Sequence, residues 1–211
     1  GTVNIDETTY MFSPKVLDRA NTIEFRVSDT DISGFLKNPK DIELEKLNSK
    51  GVVMATNFVE IATATKNGVK IEENYQLSDI KDQDVINNFF IELQKAGAEF
   101  GYRTAFEMSK LIYKLEEFGL TNKDDKLDIA IMQKMLPKLH GSRTKLTRTL
   151  KPLAKLCLKN VSDNFDKEYF ENFENINFKK DGNIRYKLSF EKIMRMYKNA
   201  VENGFASYAE A

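Results

Sequence analysis

Val85-Ile86-Asn87-Asn88-Phe89-Phe90-Ile91-Glu92-Leu93 is the stretch that decides the fold class. Val85, Ile86, Phe89, Phe90 and Leu93 share one face of an α-helix, whereas in a strand they would be scattered over both faces. Gly97 supplies the stop. The same period runs on toward the C-terminus. Phe106, Leu111, Ile112 and Leu115 predict a second helix over Tyr102–Phe118, ended by Gly119. Leu127, Ile131, Met135 and Leu139 predict a third, from Lys126 to His140-Gly141. Leu146, Leu150, Leu153 and Cys157 predict a fourth over Arg143–Leu158, with Pro152 as a point of kinking. The acidic, aromatic segment Asp163–Asn183 reads as irregular with short helices. A last helix has Ser189 as N-cap, Phe190, Ile193, Met194, Tyr197 and Val201 as its stripe, and Gly204 as its close. These stripes specify a core and carry no chemistry.

Upstream the pattern changes. Thr2–Ile5 and Thr22–Val27 are strand-like, and between them Ser13-Pro14 starts a short helix, Lys15–Arg19. Residues 28–80 are mixed. The apolar run Gly51-Val52-Val53-Met54 and the Asn-Gly signal in Lys66-Asn67-Gly68-Val69 predict a small hairpin or insertion. The fold expected is mainly α: a β-containing part over residues 1–80, then a helical domain over residues 81–211. The strand-like start Gly1-Thr2-Val3-Asn4-Ile5, with no initiator Met, leads us to expect a piece of a longer protein.

Across 211 residues Lys plus Arg (32) equals Asp plus Glu (32), so bulk charge selects neither a polyanionic nor a polycationic partner. The single Cys, Cys157, excludes an internal disulfide framework and suits a reducing, cytoplasmic compartment. No apolar run reaches membrane-spanning length, so no membrane partner is expected. One histidine, His140, excludes a His-based metal cluster. Neither G-x-S-x-G nor G-x-x-x-x-G-K-[ST] occurs.

Four features bear on function. Asn4, before Asp6, ends a strand where an amide that donates and accepts suits an attacking water or a γ-phosphate oxygen; it equally suits a turn. Arg19 leaves a Pro-started helix at a corner, placing a permanent charge either for a neighbouring subunit or for a surface pair with Asp18. Arg103, after Gly101, opens a helix where an anion or an acidic side chain is favoured. From Ile129 to Ser162 there is no acidic residue, while Lys134, Lys138, Arg143, Lys145, Arg148, Lys151, Lys155 and Lys159 accumulate. That block either steers phosphates, nucleic acid or an acidic partner, or is a solvated face offset by the acidic stretch after it.

Taken in order, these pieces resemble a known family. Gly1-Thr2-Val3-Asn4-Ile5-Asp6-Glu7-Thr8-Thr9, then Phe12-Ser13-Pro14-Lys15-Val16-Leu17-Asp18-Arg19-Ala20-Asn21-Thr22-Ile23-Glu24-Phe25, is similar to the sensor-1 strand and following helix of AAA+ NTPases in the McrB-like branch. Phe100-Gly101-Tyr102-Arg103 resembles the start of the sensor-2 helix. The block Met132–Arg143 and the ending Tyr186–Tyr208 are similar to that branch's lid and tail. The resemblance implies the rear of an AAA+ α/β core followed by a helical lid. It implies a homo-oligomeric ring hydrolysing GTP or ATP with Mg²⁺, in a restriction system against modified DNA. An endonuclease subunit would be recruited, and DNA would be read by an N-terminal domain absent here. By position, Asn4 would be sensor 1, Asp6 would lie beside the nucleotide, Arg103 would be sensor 2 and Arg19 a finger acting in trans. The Walker A and Walker B elements would lie upstream of Gly1, so the chain alone is expected to be inactive. The competing expectation is a helical module without catalytic role, binding nucleic acid or a partner through Arg143, Lys145 and Arg148.

Overall fold

The computed structural model describes residues 13–17, 19–39, 44–66 and 80–211, and over these it is mainly helical. The chain divides into two compact units, Glu24–Asn74 and the remainder.

The larger unit is built by α1 (Pro14–Leu17), α4 (Ile80–Lys95), α5 (Tyr102–Glu117), α6 (Lys123–Ala130), α7 (Arg143–Leu156) and α8 (Lys187–Asn203), while α2 (Asp29–Lys37) and α3 (Val52–Lys66) belong to the smaller one. Phe89 and Leu93 of α4, Met108 and Ile112 of α5, and Leu127 of α6 are buried in one core with the α7 and α8 stripes. On α7 the expected residues Leu146, Leu150, Leu153 and the following Cys157 all point inward; on α8 Phe190, Ile193 and Met194 do so. Rings fill the gap under the irregular segment: Tyr169 meets Phe190 edge-on at 5.1 Å, and Phe170 meets Tyr197 at 4.3 Å. That segment contains a π-turn at Asp166–Phe170 and a 3-10 turn at Phe173–Asn175, as expected.

Helices α4 and α5 end alike. Ala98 N donates to Leu93 O and Gly97 N to Gln94 O; Leu120 N donates to Leu115 O and Gly119 N to Glu116 O. Both are Schellman caps, and Gly97 (φ 65°) and Gly119 (φ 88°) take the left-handed turn that a side chain resists.

Four expectations are corrected. The third predicted helix is shorter: α6 starts at Lys123, capped by Asn122, then widens into a π-turn at Ile131–Met135 and tightens to a 3-10 turn at Leu136–Lys138. Pro137 has no N–H to continue an α-helix. Beyond it the chain extends as β1 (His140–Ser142), which pairs antiparallel with β2 (Phe205–Ser207), Gly141 opposite Ala206. Ser189 is no N-cap. α8 begins two residues earlier, and Asp128 of α6 caps it instead, its Oδ2 and Oδ1 accepting from Leu188 N (2.7 Å) and Ser189 N (2.8 Å). Thr22–Val27 pairs with no strand among the described residues. Gly51-Val52-Val53-Met54 opens helix α3 rather than a strand.

The smaller unit holds α2 (Asp29–Lys37), a 3-10 turn (Leu44–Leu47) and α3 (Val52–Lys66). Ser28 opens α2 with a capping box, accepting from Asp31 N (3.1 Å) while its own N–H reaches Asp31 Oδ2 (2.9 Å). Phe35 and Leu36 of α2 and Met54 and Phe58 of α3 are exposed. Lys66 is the last residue of α3; the remainder of the expected hairpin, Asn67-Gly68-Val69, lies outside the described residues.

Candidate functional site

The corner carrying Arg19 is made by local bonds. Val16 N and Leu17 N donate to Ser13 O, then Arg19 N (3.0 Å) and Ala20 N (3.1 Å) both donate to Val16 O, so the chain turns as soon as α1 ends. Pro14 fits the first helical position because its missing N–H is not needed there. Arg19 is exposed at this turn.

What fastens the corner to the bundle is Lys134. Its side chain is buried at 2 % exposure, and its Nζ donates to Ala20 O at 3.0 Å across 114 residues. A buried ammonium is tolerated only with acceptors around it, and a backbone carbonyl is a strong one. Next to it Thr22 N donates to Gln133 O at 3.5 Å. Lys134 falls in the widened turn Ile131–Met135 and is buried together with Ile131 and Met135. Read from sequence as one charge of a surface block, it is instead a tie between distant segments. The available signal was its place three residues after Ile131, on the inward side of the stripe.

Arg103 is the second residue of α5 and is exposed, with no ion pair among the described residues. Tyr102 before it is 98 % exposed, and the preceding cap, Gly101, has no side chain to occupy the helix start. The loop leading in is tied at Glu99, whose carbonyl accepts from Lys138 Nζ at 3.4 Å. The run Gln133–Lys138 thus holds, within six residues, the segment that follows Arg19 and the loop that precedes Arg103. Asn4 and Asp6 lie outside the described residues.

The basic block separates into two groups. Lys151 pairs with Asp166 Oδ2 at 2.5 Å, and that hydrogen bond raises its pKa. Lys155 lies over the Phe165 ring, and Lys159 donates to Gly182 O. Arg143, Lys145 and Arg148, on the first six residues of α7, are exposed and their side chains have no partner among the described residues. Lys145 and Arg148 line a shallow groove of about 430 Å³ with Ser142, Thr144, Lys95 and Ala96.

Deep in the bundle, burial pushes the Cys157 thiol well up and raises the Asp128 carboxyl, so neither is an activated nucleophile. Among the described residues no three His, Cys, Asp or Glu side chains converge where a metal ion would sit. No described helix is long and apolar enough to cross a membrane.

A family model described as a domain of unknown function, DUF8727, matches residues 46–205, from the 3-10 turn Leu44–Leu47 to the first residue of β2. The chain belongs to this family. The DUF8727 match takes in Arg103, Lys134 and the α7 ridge, while Arg19 stands ahead of it. No curated protein and no solved structure matches the chain.

Proposed function

We propose that this DUF8727 chain is the sensor and lid part of a McrB-type AAA+ NTPase, a ring-forming motor of a modified-DNA restriction system that hydrolyses GTP or ATP. The observation that supports the reading is the anchoring of two arginine-bearing segments on Gln133–Lys138. Ala20 and Thr22 on one side and Glu99 on the other are bonded to a run that itself belongs to the resembling lid block. Phosphoryl transfer asks a protein mainly for positioning and for fixed positive charge around a spreading negative one. Exposed guanidiniums without a side-chain partner among the described residues, set on such an anchor, fit that demand.

In this reading Arg103 reaches from the lid to the γ-phosphate, and Arg19 projects across a subunit boundary to a neighbour's nucleotide. Asn4 orients the attacking water, with Asp6 beside the nucleotide. The described residues suit phosphate oxygens and offer Mg²⁺ no acidic set. The ion and the β-phosphate would be held by a phosphate-binding loop outside these 211 residues. When bound, Mg²⁺ neutralises charge between the phosphates. The endonuclease subunit and the DNA-reading domain are likewise separate parts.

The test is nucleotide turnover by the intact protein, bearing Arg19→Ala or Arg103→Ala. Turnover falls by about 10³-fold or more in each, the scale of a lost arginine finger, while nucleotide affinity changes far less. Wild-type turnover in both variants would overturn the reading.

A further inference from the structure

The α7 ridge is the one part of the basic block that the fold leaves unused. Lys134, Lys138, Lys151, Lys155 and Lys159 each contact a carbonyl, a carboxylate or a ring. Among the described residues the side chains of Arg143, Lys145 and Arg148 contact none, although acidic residues are as common as basic ones in the whole chain. Lys145 and Arg148 line an open groove with the hydroxyls of Ser142 and Thr144 and no carboxylate, and Arg143 is exposed at the first position of the same helix. The neighbouring Thr149 is buried, and its hydroxyl is committed to Lys145 O at 3.1 Å.

We infer that this ridge binds the sugar-phosphate backbone of a nucleic acid duplex. From Arg143 to Arg148 the helix advances about 7.5 Å. That spans about two phosphate steps of one strand, each about 3.4 Å along the duplex axis. Ala96 is the only apolar residue lining the groove, so it lacks the aromatic or aliphatic anchor an acidic protein helix would seek. It also lacks the exposed ring on which single-strand bases stack. Contacts of this kind position a duplex and read no sequence. The inference stands apart from the nucleotide reading, because binding is measured without nucleotide.

The experiment is fluorescence anisotropy of the full chain with a mixed-sequence DNA duplex of about 20 base pairs, titrated between about 50 and about 200 mM salt. The triple variant Arg143→Gln, Lys145→Gln, Arg148→Gln is compared with an equally charged variant, Lys151→Gln, Lys155→Gln, Lys159→Gln. Removing the three ridge contacts makes the salt slope shallower by about 0.9 per contact, so the fourfold rise in salt costs about 40-fold less affinity than in wild type. The second variant keeps the wild-type slope. Arg148→Gln alone, which disturbs no contact of the fold, loses about 0.9 of slope. Absence of duplex binding, an equal loss of slope in both triple variants, or tighter binding of polyglutamate than of the duplex each overturns the inference.

Discussion

The Asp128 carboxylate accepts the backbone N–H of Ser189 at 2.8 Å while the Ser189 hydroxyl donates to the Asp128 carbonyl at 3.1 Å, a reciprocal pair 61 residues apart in sequence. With Leu188 N also bound, one carboxylate satisfies two of the four N–H groups that α8 would otherwise leave orphaned. Asp128→Ala strips that cap from inside the core and lowers stability by about 2 kcal/mol in a denaturant titration.

The same residue gives a pH signature. Burial raises the Asp128 pKa above the ordinary 3.8 more than its hydrogen bonds with Ser189 and Leu188 lower it. The folded state therefore holds this proton more tightly than the unfolded chain. The sign follows from linkage: as pH rises from 3.8 through the raised value, Asp128 withdraws stability from the fold. Asp128→Asn cannot titrate. The difference in melting temperature between wild type and Asp128→Asn will shift against the wild type across that window, and a constant difference contradicts the assignment.

Cys157 is completely buried and its Sγ donates to Leu153 O at 3.4 Å. The thiolate is what reacts with disulfide reagents, and burial disfavours it. Labelling with an aromatic disulfide at mildly alkaline pH will be negligible in the folded protein and complete in denaturant. Fast labelling without unfolding would place the thiol elsewhere.

Lys134→Met keeps most of the side chain's volume and removes its bond to Ala20 O. Global stability changes little, because burying an ammonium is itself costly. The segment around Ala20–Thr22 loses its tether. Hydrogen exchange will rise there and stay unchanged along α7 and α8. If the proposed nucleotide function holds, turnover of the intact protein falls together with this local loss of protection.

Gly119 and Gly101 offer a matched pair. A methyl group at either meets nothing within 4 Å, yet only Gly119 has a left-handed φ, 88°. Gly119→Ala will cost about 1 kcal/mol through backbone strain alone, and Gly101→Ala will cost less. Thermal melts of the two variants separate the terms.

Much of the larger unit was legible in the sequence because its helices are amphipathic over several turns. The α7 stripe Leu146, Leu150, Leu153 and Cys157 is a local pattern that packing respects. The exposure of Lys145 and Arg148 follows from that same stripe, whereas Arg143, seven residues before Leu150, lies on the stripe's own face and is exposed because it opens the helix. Long-range chemistry was not legible. Nothing near Ser189 announces that Asp128 will cap its helix, and nothing near Lys134 announces Ala20. The three-residue strands β1 and β2 are too short to show alternation, and one of them contains Gly141. Gly51-Val52-Val53-Met54 misled because β-branched residues favour strands; α3 goes on to include Thr56, Val59, Ile61, Thr63 and Thr65, so local propensity does not explain this helix. Of the proposed nucleotide site, Arg19 at its turn and Arg103 in the first turn of α5 are exposed, and Asn4 and Asp6 lie outside the described residues.

The β1–β2 pair has a consequence for how the molecule is made. Residues 205–207 close the ladder over His140–Ser142, Gly204 O takes the first N–H of α7 at 2.8 Å, and Tyr208 N bonds Leu139 O at 3.0 Å. A ribosome releases these partners in sequence order, so the α7 end of the bundle stays unsealed until the segment beyond α8 has left the exit tunnel. During that interval Leu146, Leu150 and Leu153 are the surface a chaperone would meet.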